Sequence, residues 1–240
     1  RDVLGSRGLG DVYKRQQGDS TAISARTLPN VINSVISPRI FFSGPESLEI
    51  LRLKAPSTCW VKQFSNKTAD TVLSFNTKDE IMTRCTGPAK HIPLLLQDSV
   101  DDNLQFKSDV NPKHPLYVVS KFVKSRIDHT DKQNVFNFAE KFRELTLPPY
   151  GLFKSHAGYG MLAFALRPYV DKVFDTTGKP INAQRMQELI DDTFKIWDGA
   201  SSNIHKVDVK FETKEEGSIA KGLISIFQLG KLKDYKDVTL

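Results

Sequence analysis

Long apolar runs are missing from this 240-residue sequence. Stretches such as HIPLLLQ, residues 91–97, fall far below the ~20 residues that a bilayer-spanning helix requires, so no membrane partner is expected. Cysteine is nearly absent: Cys59 and Cys85 lie far apart and outside any CxxC spacing. That excludes a disulfide-dense scaffold and a cysteine zinc site, leaves room for one disulfide, and sets a reduced, cytoplasmic protein as the expectation. The histidines His91, His114, His129, His156 and His205 are scattered without HxxxH spacing, so no metal site is assigned. Residues 17–240 hold neither a G-x-x-x-x-G-K-[ST] loop nor a G-x-S-x-G elbow. Asp101 and Asp102 are adjacent carboxylates in a polar turn, where solvation is their ordinary fate. No catalytic residue and no cofactor is therefore assigned.

Glycine, by contrast, clusters near the start, in GSRGLGDVYKRQ (residues 5–16). A phosphate-cradling loop would need a strand before the glycines and a helix after them. Only four residues precede, and no apolar periodicity follows, so the loop reading fails. The stretch instead resembles a translated sequencing-library adapter. Asp11 to Gln16 are encoded by GAT GTG TAT AAG AGA CAG, the end sequence of a transposase-based adapter. Ser6 to Gly10 and Arg1-Asp2 match its preceding bases in the same frame. Residues 1–16 are accordingly expected to be an artefact and not native, with the remainder an internal fragment truncated at both ends. Without them, 30 Lys+Arg stand against 26 Asp+Glu, a net charge of +4 in place of +6. An excess of that size identifies a nucleic-acid binder only where it is clustered.

Leu28, Val31, Ile32, Val35 and Ile36 have the spacing of one helix face, ending before Pro38. From 48 to 110, the segments LEILRL, CWVKQF, DTVLSFN and LQFKSDV read as short strands, with short helices as the alternative. Beyond VNPKH (110–114) the pattern turns helical. One helix carries Leu116, Val119, Phe122, Val123 and Ile127 on its inner face; the next carries Val135, Phe138, Ala139, Phe142 and Leu145. Ser155 is a candidate N-cap for a third, with Leu162, Ala165, Leu166, Tyr169 and Val173 in a stripe that Pro168 kinks or splits. After the turn DTTGKP comes a helix burying Met186, Leu189, Ile190, Phe194 and Trp197. KVDVKFET then alternates as an edge strand would, and a last helix carries Ile219, Leu223, Ile224 and Phe227. The expected fold is α+β: mixed short strands and helices over 17–112, then a mainly helical, winged-helix-like module over 113–240.

The most distinctive stretch is LTLPPYGLFKSHAGYGMLAFAL, residues 145–166. Pro148, Pro149, Tyr150 and Gly151 form a structural turn before a helix. Lys154 and His156 fall at that helix's N-terminus, where unpaired backbone N–H groups attract anions. Either a phosphate binds there, or the turn is a rigid corner with Tyr150 packed beneath it. Lys121, Lys124 and Arg126, on the outer face of the 115–127 helix, complete the candidate phosphate contacts with Lys154 and His156. The helix Gln184 to Trp197, in the position of a recognition helix, carries Glu188, Asp191, Asp192 and Asp198 beside Arg185 and Lys195. Its acidic face would repel DNA.

Pro149, Tyr150, Gly151 and Leu152, followed by a helix of small and apolar residues, resemble a segment of very large bacterial P-loop ATPases of antiphage defence systems. The resemblance spans about residues 130–230. It implies a non-catalytic interaction module of a large ATPase, partnered by that protein's other domains. The family's phosphate-binding residues have no counterpart here. The alternative is a nucleic-acid-binding winged-helix module that contacts the phosphate backbone of DNA.

Overall fold

The computed structural model describes residues 28–47, 72–85, 95–130 and 135–211. The segments LEILRL and CWVKQF, residues 1–16 and the last expected helix lie outside them. The described chain is mixed α and β, with a helical layer beside a small three-stranded antiparallel sheet.

Helix α1 (Leu28–Val31) passes through a π turn, Ile32–Ile36, into α2 (Ser37–Ile40). Pro38 does not end the helical path, because it falls in the first turn of α2, where its missing N–H costs no bond. The apolar residues of this segment are not a buried face: Leu28, Ile32, Val35, Ile40 and Phe42 are exposed. Helix α3 (Lys78–Arg84) starts at a reciprocal cap: Thr77 accepts from Glu80 N, and Glu80 accepts from Thr77 N. The described parts of DTVLSFN and LQFKSDV are a helical turn and a loop, with one isolated bridge, Val100↔Phe106, in place of the expected strands.

Helix α4 (Pro115–Asp128) begins with Pro115 in its first turn and His114 as N-cap, whose Nδ1 accepts from Leu116 N at 3.3 Å. Buried residues on both sides of 110–114 belong to a single hydrophobic cluster, with Leu116, Val119, Val123 and Ile127 supplied by α4. Strand β1 (Phe136–Asn137) follows, then a single turn, α5 (Phe138–Lys141), and a 3-10 turn, Arg143–Thr146. A continuous helix from Val135 does not form. Asn137 is extended, accepts from Glu140 N at 3.0 Å and so starts α5 after itself, leaving Val135 exposed and Phe136 buried.

Pro148, Pro149, Tyr150 and Gly151 make the corner that reverses the chain. Leu147 O accepts from Tyr150 N at 2.9 Å and Gly151 N at 3.0 Å, and the Pro148–Pro149 peptide is cis. Gly151 has φ 63°, and a Cβ there would strike the Phe41 ring; Gly44 likewise lies against Tyr150 O. Tyr150 is half-buried against Phe122, with ring centroids 5.2 Å apart, so the rigid-corner reading describes the geometry.

Helix α6 (His156–Leu166) is the centre of the fold: all 11 of its residues are buried, and it packs on α4 and α7. A helix apolar on every side has no stripe to present, because neighbours cover it all round. It stops at Leu166, and Pro168 lies in a 3-10 turn, Arg167–Tyr169, so the stripe expected to reach Tyr169 and Val173 is broken there. Strand β2 (Val173–Phe174) leads into the DTTGKP turn, where Asp175 accepts from Thr177 N and Lys179 N, each at 2.9 Å. Helix α7 (Ala183–Trp197) is capped by Asn182. It buries Met186, Leu189, Ile190 and Phe194, while Trp197 Nε1 donates to Ala139 O at 2.9 Å. Strand β3 (Asp208–Phe211) is central, not an edge strand. Val209 pairs with Phe136 of β1 and Phe211 with Val173 of β2. Alternation reports one buried face; it carries no information about neighbours in the plane of the sheet.

Candidate functional site

The residues of α4 divide between three faces. One is the buried stripe. At about 100° per residue, Tyr117, Ser120, Lys121, Lys124 and Asp128 share a second. Phe122 and Arg126 lie on the far side of the stripe, where the guanidinium sits 5.0 Å over the Phe122 ring and is ion-paired with Glu144.

The second face forms one wall of a cleft of about 770 Å³. Opposite stand Phe164 and Ala165 at the end of α6, then Arg167, Pro168, Tyr169 and Lys172; the loop Leu104 to Phe106 closes one side. Phe106 meets Tyr117 edge-on at 5.1 Å and Phe164 at 5.5 Å, giving the cleft an aromatic floor. Among the described residues four cations line it, Lys121, Lys124, Arg167 and Lys172, and one carboxylate, Asp128. Arg167 is anchored by a bond to Phe75 O at 3.1 Å, and Lys172 Nζ donates to Pro168 O at 2.8 Å. The ion pairs among the described residues use neither Lys121 nor Lys124. Burial and then the nearby Asp128 charge push the Tyr169 hydroxyl up to about 12, so it stays protonated at neutral pH.

Two further features mark this cleft. Ser120 Oγ is buried in its wall with no hydrogen-bond partner among the described residues, an arrangement native proteins rarely leave unexplained. Leu104, a buried residue that lines the cleft, has φ 59°, a left-handed conformation that costs a residue with a Cβ about 1–2 kcal/mol. Asp101 holds the loop in that shape by accepting from Asn103 N at 3.0 Å and Gln105 N at 2.9 Å. Asp101 is thus a turn-former.

Of the five residues expected to meet phosphate, only Lys121 and Lys124 reach the cleft. Arg126 is on the other flank. Lys154 and His156 are 7 % and 8 % exposed, at the covered N-terminus of α6, whose Gly158 N is already satisfied by Ser155 Oγ at 3.0 Å. Burial lowers the His156 pKa and keeps the ring neutral, and the Lys154 charge is close enough to Asp198 to lower that carboxyl's pKa against the larger, raising effect of burial. A phosphate cannot reach this pair without opening the core. Both cations of α7 are engaged as well: Arg185 with Glu188, Lys195 with Asp191 and Asp192. Sequence reasoning missed Ser120 and Tyr117, though their i, i+3, i+4 and i+7 relation to Lys121 and Lys124 was available. It also missed Arg167 and Lys172, which only the packing of α6 on α4 brings close.

Among the described residues, no group of three or more His, Cys, Asp or Glu side chains is placed to hold a metal ion, and no helix is long and apolar enough to cross a membrane. Comparison with protein-family models, curated proteins and solved structures yields no match.

Proposed function

We propose that this chain is a non-catalytic binding module that holds the phosphate backbone of nucleic acid in the cleft beside α4. The observation that carries the reading is the convergence of Lys121 and Lys124 with Arg167 and Lys172 on one aromatic-floored cleft. Phosphate contacts of this kind supply affinity without reading sequence. Helix α7 is not the reader, since its own carboxylates occupy its cations. The helices beside a three-stranded antiparallel sheet support a winged-helix-like description, with the turn from β2 to Pro180 as the wing. Insertion of α7 between the paired strands β2 and β3 is where the topology departs from it. The test is oligonucleotide binding as a function of salt. Affinity is expected to fall steeply from 50 to 200 mM salt, and replacing Lys121 and Lys124 together by Ala to flatten the log–log slope by about 1.4, or 0.7 per lost contact on a single strand. Absent or salt-insensitive binding overturns the proposal.

A second reading, an interaction arm of a large P-loop ATPase, is favoured by the exposed apolar residues Leu28, Ile32, Val35, Ile40 and Phe42. Sequencing the source DNA outward from Gln17 and Leu240 tests it. A phosphate-binding loop in the same frame supports the arm, and a start and a stop codon close to the two ends overturn it.

A further inference from the structure

Phosphate contacts alone do not account for the floor of the cleft. Backbone binding needs cations at the rim; it does not need the cluster of Phe106, Tyr117 and Phe164, nor a hydroxyl deep in the wall. Ser120 is among the residues lining the cleft, and its Oγ is buried there with no hydrogen-bond partner among the described residues. A group that is flat, apolar on its faces and able to hydrogen-bond at its edge matches that combination. A nucleobase has these properties, and base–aromatic contact is the usual way single strands are held regardless of sequence.

The shape favours the same occupant. A volume of about 770 Å³ lies within the range that encloses a small ligand. Its cations stand on two walls, Lys121 and Lys124 on α4 against Arg167 and Lys172 after α6. A single strand laid between them meets both pairs of cations.

We infer that the cleft takes one unstacked nucleobase of a single-stranded nucleic acid, with the Ser120 side chain turning about χ1 to bring its Oγ to the base edge and the flanking phosphates on Lys121 and Lys124. The inference rests on the cleft being the phosphate site proposed above. Three fluorescent 12-nucleotide probes test it on the full chain: a single strand, its duplex, and a single strand whose sugars carry no bases. The single strand is expected to bind about tenfold or more tightly than the baseless strand, and more tightly than the duplex. Two variants separate a site from a merely structural role. Ser120→Ala removes an unsatisfied buried hydroxyl, so its Tm is expected to hold or rise while the preference for bases shrinks several-fold. Tyr117→Leu keeps the apolar bulk and is expected to lose the preference while keeping the salt dependence. Equal binding of the ordinary and baseless strands, with Lys121 and Lys124 still governing affinity, overturns the base pocket and leaves the phosphate proposal standing. Binding of no probe overturns both, and a Ser120→Ala variant that lowers Tm shows the hydroxyl to be structural and overturns its assignment.

Discussion

His114 has two opposed roles at the start of α4. Its Nδ1 accepts from Leu116 N, which requires that nitrogen to be unprotonated, and the ring lies at the positive end of the helix dipole. Burial lowers its pKa below the usual 6.5, against a smaller raising effect from Asp98. His156, buried at the start of α6, is lowered in the same direction. A histidine whose folded pKa is depressed leaves stability intact above the unfolded value. Stability then drains away as pH falls from about 6.5 through the folded value, because only the unfolded chain takes up the proton. Urea midpoints are therefore expected to fall from pH 7 to pH 5. His114→Asn keeps a side-chain cap and removes the titration, so it should flatten part of that fall, with His156 supplying the rest. An unchanged pH profile in His114→Asn would show that the cap does not titrate in this window.

At the scale of elements, α6 carries the fold. Leu162 is fully buried in a helix covered on every side, so Leu162→Ala removes apolar contacts and leaves a cavity that neighbours close only in part. A loss of about 2–5 kcal/mol is expected by chemical denaturation. Leu147→Ala, at a site 53 % exposed, should stay within about 0.5 kcal/mol. If the two variants were equally mild, α6 would not be the core helix. Elements of this kind differ in how far the sequence betrays them. Helices α4 and α7 are long and strongly one-sided, so Leu116, Val119, Met186 and Phe194 were legible as core from spacing alone. Strand β1 is two residues long and exists only through its pairing with β3, which no local pattern encodes. The same division runs through the cleft. Lys121 and Lys124 follow from the outer face of one helix, but Arg167 and Lys172 join them by tertiary packing. Lys154 looked available because it precedes a helix, and is buried because that helix turns out to be the central one.

For the molecule as a whole, the distribution of charge decides which part of it would hold nucleic acid. Arg1, Arg7, Lys14 and Arg15 contribute four positive charges against Asp2 and Asp11, all within the sixteen residues that resemble an adapter. A basic tail binds polyanions through counterion release whatever fold it is attached to, and it would mimic the salt dependence expected of the cleft. A chain beginning at Gln17 separates the two. Its Tm should match that of the full chain, since among the described residues the hydrophobic cluster begins at Val72, far from the sixteen residues removed. Its affinity for oligonucleotides should drop modestly as the net charge goes from +6 to +4, while replacement of Lys121 and Lys124 by Ala weakens it by the same factor as in the full chain. That equality is what a cleft-borne site requires, because contributions from groups without shared partners add. If the shortened chain bound nothing, the affinity would belong to the tail, and the cleft would lose its claim as the phosphate site.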